Sequence, residues 1–130
     1  MDKTHIVGMH TVGVPVTDQE RALRFYVDEL GFETRLDRPL PSGQRWIEVA
    51  PPEASVTIAL VPATAGAPVG VETGIRLVTL DADADNARLK TQGIHAGEVL
   101  RWPGVPPMFA FRDPDGNGLE IIEGLPEAAR

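Results

Sequence analysis

Cysteine is absent from the chain, and so are long apolar runs. Without cysteine the protein has no disulfide, no thiolate metal ligand and no thiol nucleophile. No apolar stretch approaches the roughly 18 residues of a membrane-spanning helix, and residues 1–5 lack the apolar segment of a signal peptide. We therefore expect a cytoplasmic protein without a membrane partner.

Basic residues are scarce, because 12 Lys and Arg stand against 19 Asp and Glu and the net charge is −7. The sequence contains no basic run or stripe. Proteins that bind nucleic acid neutralise its phosphates with clustered Lys and Arg, so we expect no nucleic-acid partner. An acidic surface instead attracts cationic ligands.

A strand, a helix and a hairpin occur twice within this sequence of 130 residues, whose length and 42% hydrophobic content are those of one globular domain. The first helix is predicted to begin at a capping box of Thr17 and Glu20 and to end at Gly31. The second begins at Asp81 and ends at Gly93. This repetition predicts two copies of one βαβββ module.

The predicted domain covers residues 1–130 and divides into two modules. Module one lies at residues 6–61, module two at residues 74–124, and a linker rich in Ala, Gly and Pro joins them at residues 62–73. Because each module is too small to bury its sheet alone, the two should pack together with their helices outside. The expected fold is α+β, with a curved mixed sheet and a concave inner face.

The most distinctive stretch is a predicted hairpin corner at residues 113–117, Asp-Pro-Asp-Gly-Asn, which combines proline with residues that tolerate positive φ. In the strand that follows, Glu120 lies on the face opposite Leu119. This hairpin resembles the last hairpin of the vicinal oxygen chelate superfamily, which includes glyoxalase I, bleomycin and fosfomycin resistance proteins and extradiol dioxygenases. Further matches are residues 14–18 (Val-Pro-Val-Thr-Asp), 22–26 (Ala-Leu-Arg-Phe-Tyr) and 30–32 (Leu-Gly-Phe). The resemblance implies a half-open barrel and a homodimer.

Metal-dependent members of that superfamily take their ligands from the first and last strands of each module. When the two first strands are aligned on Val16 and Leu80, the corresponding positions in this chain are Thr11, Ala59, Ile75 and Glu120. Only Glu120 is a credible ligand, and one carboxylate cannot hold a divalent ion tightly, so we expect no metal cofactor.

His10 keeps a divalent metal open as the alternative. It lies one residue before Thr11, and a one-residue offset on a strand reverses the face, so His10 is expected to face away from the cavity. A bulge would be needed to bring it to a metal shared with Glu120.

Strand alternation predicts which side chains bind a ligand on the inner face. The predicted inner-face residues are Thr11, Gly13, Trp46, Glu48, Ala59, Ile75 and Leu77. Trp102 with Phe109 or Phe111 would close the mouth of the cavity, and indole faces stack on planar or cationic ligands. In the alternative interpretation Trp46, Phe109 and Phe111 are ordinary core or dimer-contact residues.

Three functions are compatible with the sequence. The first is binding of a small organic molecule, planar or cationic, without a metal. The second is a metal-dependent lyase, isomerase or dioxygenase that uses Glu120 and a re-aimed His10. The third is a metal-free enzyme in which Glu120 acts as a general base. Whether the protein is an enzyme stays open at this point.

Overall fold

The computed structural model describes residues 2–64 and 66–125 of the chain. Residue 65 of the predicted linker and the end of the predicted domain, residues 126–130, lie outside the described residues. In chain order the elements are β1 (Thr11–Val16), α1 (Gln19–Leu23) with a π-helical continuation (Arg24–Glu29), β2 (Glu33–Pro39), β3 (Arg45–Ala50), β4 (Thr57–Pro62), β5 (Glu72–Thr79), α2 (Ala82–Thr91), β6 (Met108–Arg112) and β7 (Gly118–Glu123).

The strands form two separate open sheets, where the sequence had predicted one curved sheet. The first sheet has the order β1-β4-β3-β2, and the second has the order β5-β7-β6. In each sheet the first strand of the module pairs in parallel with the last, and the other pairs are antiparallel. The predicted α+β class is confirmed, and the repeat is visible in the shared strand order.

The second module differs from the first in its missing edge strand. The position of that strand is taken by two isolated bridges, one from Ala96 to Phe111 and one from Leu100 to Met108. The linker is also shorter than predicted, because β4 continues to Pro62 and β5 begins at Glu72.

The helix boundaries follow the glycines and aspartates of the sequence. Gly31 and Gly93, the predicted stops, have φ of 85° and 80°, a conformation that glycine adopts without a Cβ clash. The predicted capping box at Thr17 is wrong by one residue. The N-cap is Asp18, whose carboxylate accepts a hydrogen bond of 3.1 Å from the backbone N–H of Arg21.

One hydrophobic core receives side chains from both modules. The ring of Phe25, from the segment after α1, stacks on Phe111 of β6 with centroids 6.3 Å apart. Both sheets therefore bury one face against this core and the helices. Among the described residues no helix is long and apolar enough to cross a membrane.

The hairpin corner at residues 113–117 ties the two modules together. Asn117 is fully buried, and its side-chain oxygen accepts hydrogen bonds of 3.0 Å from the N–H groups of Gly70 and Val71. Its side-chain nitrogen donates to the carbonyl of Pro15 in β1 at 2.8 Å. The Tyr26 hydroxyl donates to Asp113 at 2.9 Å. The motif that carried the family resemblance thus connects the two modules by hydrogen bonds.

Candidate functional site

Each sheet has a second face that does not pack on the helices, and we call it the helix-free face. On the first sheet its position follows from the strand register, because Thr11 pairs with Thr57, and both Gly13 and Glu48 pair with Ala59. The intervening residues Val14, Ile47 and Ile58 lie in the core. The helix-free face of the first sheet therefore carries Thr11, Gly13, Trp46, Glu48, Thr57 and Ala59.

A cluster of polar side chains on this face surrounds the carboxylate of Glu48, which is only 4% exposed. Its Oε1 accepts a hydrogen bond of 2.8 Å from the hydroxyl of Thr57. Its Oε2 accepts one of 2.8 Å from the indole N–H of Trp46 and lies 3.1 Å from Nε2 of His10. Sequence alternation had predicted that Trp46 and Glu48 share a face, and their direct contact shows that they do.

The environment of Glu48 keeps it ionised. Burial raises the pKa of this carboxyl group, because it disfavours the charged form. The hydrogen bonds from Trp46, Thr57 and His10 stabilise the anion by more, so the pKa of Glu48 lies below its ordinary value. Since an ionised carboxylate only accepts hydrogen bonds, His10 must carry its proton on Nε2 in this contact.

His10 was expected to face away from the inner face of the sheet, and this is wrong, because its ring contacts Glu48 on the helix-free face. Alternation applies only within a regular strand, and β1 begins at Thr11. Residues 2–10 have no regular secondary structure, although the carbonyl of His10 still accepts a hydrogen bond of 3.1 Å from the N–H of Thr57. The backbone at His10 is therefore positioned by β4, while its ring is free of the strand pattern and reaches Glu48.

On β5 the helix-free face is the opposite of the one predicted, whereas Glu120 of β7 lies on the helix-free face as predicted. Arg76 pairs with Glu120 across β5 and β7, and its Nε lies 2.8 Å from Oε1 of Glu120. Ile75 and Leu77 alternate with Arg76 and pack against the core. The alignment on Val16 and Leu80 caused the error. The N-caps Asp18 and Asp81 show that the counterpart of Val16 is Thr79, one residue earlier.

The aromatic residues predicted at the mouth of the cavity lie in different parts of the structure. Phe109 and Phe111 are buried in the core, so their predicted position at the mouth is wrong. Alternation on β6 instead places Ala110, the partner of Glu120, on the helix-free face. Trp102 is exposed in the segment before β6, and its role in ligand binding stays a prediction.

A cavity of about 650 Å³ lies beside the first sheet, between its β1 and β4 strands and the unpaired edge of β5. Its volume is in the range of small-molecule sites. Thr57 lines this cavity and also donates to Glu48, so the cavity adjoins the Glu48 cluster. The predicted ligand-binding residues Ile75 and Leu77 line it from the β5 side.

The donors at the superfamily's metal positions do not fit a divalent ion. With the corrected alignment Gly74 replaces Ile75 as the counterpart of Thr11, since each lies seven residues before its N-cap. The four positions are therefore Thr11, Ala59, Gly74 and Glu120. Glu120 already pairs with the Arg76 cation, and within the described residues no three His, Asp or Glu side chains form a metal-binding group. A divalent ion needs several such donors.

Comparison with known proteins gives the family of the chain. Residues 8–121 match the model of the Glyoxalase/Bleomycin resistance protein/Dioxygenase superfamily. TnmS3, described as an antibiotic binding protein from Streptomyces sp. CB03234, is 35% identical and superposes with a TM-score of 0.83 over 95% of this chain and 100% of its own. A superfamily member from Sphaerobacter thermophilus DSM 20745 is 34% identical, with a TM-score of 0.86 over 93% and 100%.

The uncharacterized protein YetH of Bacillus subtilis (strain 168) is 30% identical over 117 residues, which cover 87% of this chain and 95% of YetH. The family match, the strand order of the two modules and these relatives agree. The chain belongs to the Glyoxalase/Bleomycin resistance protein/Dioxygenase superfamily.

Proposed function

We propose that this protein binds a small, planar organic molecule on the helix-free face of the first sheet, without a metal ion in the site. The ligand stacks on Trp46 and extends toward the cavity beside Thr57. The protein thus sequesters or senses its ligand, and its similarity to TnmS3, an antibiotic binding protein, supports a binding role.

The observation that carries this proposal is the state of Trp46. Trp46 is 37% exposed, yet its indole N–H donates to the buried Glu48 at 2.8 Å. A ring that is fixed at one edge and open to solvent loses little conformational freedom when a ligand stacks on it. Stacking between aromatic rings contributes about 0.5–1.5 kcal/mol beyond the burial of apolar area.

The metal positions support binding over metal-assisted catalysis. Thr11, Ala59 and Gly74 supply no carboxylate or imidazole, and Glu120 is engaged by Arg76. The same ion pair engages Oε1 of Glu120, so a general-base role for Glu120 would depend mainly on its other oxygen.

The two tryptophans of the chain provide a matched test. We would titrate the protein with acridone and with 9-aminoacridine, a neutral and a cationic planar three-ring compound, by isothermal titration calorimetry. We expect Trp46→Leu to weaken binding of both compounds by about 5- to 10-fold, the loss of one stacking contact. Trp102→Leu removes an exposed indole from the segment before β6 and, for a site confined to the first sheet, should change affinity by less than about twofold.

Two results would contradict the proposal. One is the absence of binding of either compound to the unmodified protein. The other is equal affinity in the unmodified protein and in Trp46→Leu, which would move the site away from the first sheet. A large loss in Trp102→Leu would add that residue to the site, as the sequence predicts.

A further inference from the structure

The three donors around Glu48 differ in how firmly the fold holds them. Trp46 and Thr57 belong to β3 and β4, the inner strands of the first sheet. His10 precedes β1, and its side chain is 78% exposed, whereas that of Glu48 is 5% exposed. Of the three, His10 is the most exposed and is the one that lies outside the strands, so its ring can rotate away from Glu48 without disturbing the sheet.

Another hydrogen-bond donor can therefore replace His10 at Oε2 of Glu48. A buried, ionised carboxylate is strongly stabilised by each donor it keeps, and loss of a donor without replacement is unfavourable. If the ring of His10 turns away, Oε2 of Glu48 loses a donor at 3.1 Å on its solvent side while it keeps the indole N–H of Trp46. A positively charged N–H group brought by a ligand satisfies this position.

We infer that Glu48 selects the charge of the ligand, and that His10 occupies Oε2 of Glu48 until an N–H-bearing cation displaces it. This inference rests on the proposed function and specifies its ligand class: a planar organic cation with an amino, amidinium or protonated ring nitrogen. The ring of such a ligand lies on Trp46, and its N–H group replaces Nε2 of His10. Arg38 is the cross-strand partner of Trp46 on β2. Its positive charge disfavours a cation on the β2 side of Trp46, so the ligand's charge lies toward Glu48.

The fold places these groups together through ordinary strand geometry. Trp46 and Glu48 are two residues apart on β3 and so share a face. Thr57 begins β4, its hydroxyl donates to Glu48, and its backbone N–H donates to the carbonyl of His10. The stacking surface, the anion and its replaceable partner are thus held within one sheet.

The test compares the affinities of 9-aminoacridine, the cation, and acridone, its neutral counterpart, in four proteins. The unmodified protein should prefer the cation by about tenfold or more. Glu48→Gln keeps the shape of the side chain but removes its charge, so the preference for the cation should fall to within about threefold.

His10→Ala gives the sharper result, because it removes the competitor and leaves the anion. If His10 holds Glu48 for about half to four-fifths of the time, its removal should strengthen binding of 9-aminoacridine by about two- to fivefold. Acridone affinity should stay the same. His5→Ala, a change of the same kind in the same irregular segment, is the control and should alter neither affinity.

The outcomes separate this inference from the proposed function. Equal binding of the two compounds by the unmodified protein would leave the proposed function standing and overturn the inference. Weaker or unchanged cation binding in His10→Ala would also overturn it, and this arm remains decisive if Glu48→Gln is too unstable to measure. Binding of neither compound would overturn both.

Discussion

Asn117 shows how much of the fold depends on a single side chain. It is fully buried, and it satisfies two backbone N–H groups in the linker while donating to Pro15 of β1 and to Asp113. Its contacts therefore join the C-terminal hairpin, the linker and the first strand. The sequence predicted a turn at this position but gave no sign of partners 46 to 102 residues away, because hydrogen bonds of that kind leave no local pattern.

We expect Asn117→Ala to lower the free energy of unfolding by about 2–4 kcal/mol, since the N–H groups of Gly70 and Val71 would be left buried without an acceptor. Urea denaturation would measure the change. Tyr26→Phe is the comparison, because it removes one hydrogen bond to Asp113 at the same hairpin corner and should cost less. A loss below about 1 kcal/mol in Asn117→Ala would contradict the assigned role.

At the candidate site, residues within strands could be predicted and those outside them could not. Alternation along β3 correctly placed Trp46 and Glu48 together. It failed for His10, which lies before the first residue of β1 and does not obey the two-residue period. The contact between His10 and Glu48 could therefore not be predicted from the sequence.

The start of α1 illustrates how tertiary contacts decide between two competent caps. Thr17 and Asp18 both have side chains that can cap a helix. The hydroxyl of Thr17 instead donates to Asp115 of the hairpin corner at 2.6 Å, so Asp18 is left to cap the helix. The sequence predicted Thr17 as the cap, and the use of Asp18 depends on the contact of Thr17 with Asp115 in the other module.

Asp18→Ala should lower the free energy of unfolding by about 1 kcal/mol, because the first turn of α1 loses its acceptor for the N–H of Arg21. Asp18→Asn keeps an acceptor oxygen and should cost only a few tenths of that amount. Both changes can be measured by chemical denaturation at neutral pH. Equal losses for the two variants would show that charge, and not the capping hydrogen bond, supplies the stability.

The edge of the second sheet could not be predicted from the repeat. The segment that corresponds to β2 makes only two isolated bridges to β6, through Ala96 and Leu100. Prolines at 103, 106 and 107 follow directly, and proline has no backbone N–H to donate to a neighbouring strand. A repeat in sequence thus predicted the order of the strands better than it predicted their number.

At the scale of the whole molecule, the repeat predicted the α+β fold but misplaced one face by a single residue. Alignment of the modules on apolar residues paired Val16 with Leu80, whereas the N-caps Asp18 and Asp81 give the correct correspondence. Because strand side chains alternate, that one-residue error predicted Ile75 and Leu77 on the helix-free face, where the structure has Arg76. Caps are better markers for aligning such modules than apolar residues, which occur on both sides of a buried strand end.

Association into a homodimer and a cytoplasmic location stay predictions for this chain. The exposed apolar side chains of Ile6, Val7 and Met9 in the first residues, and of Val78 and Leu80 around the end of β5, are compatible with contacts to a second copy.

The absence of a metal from the proposed site is testable through the stability of the whole molecule. A ligand that binds only the folded state, present at about 100 times its Kd, adds about 2.7 kcal/mol to the free energy of unfolding. Because Thr11, Ala59 and Gly74 give no strong donor and Arg76 holds Glu120, we expect Mn²⁺, Fe²⁺, Ni²⁺ and Zn²⁺ to leave the thermal unfolding of the untagged protein unchanged. Stoichiometric metal in the purified protein, with a stabilisation lost in Glu120→Gln, would contradict the metal-free proposal.

Glu98→Gln is the control, since it neutralises an exposed carboxylate paired with Lys90 on the other side of the second module's core. Stabilisation lost equally in both variants would instead indicate nonspecific binding of cations to an acidic surface, which the net charge of −7 favours.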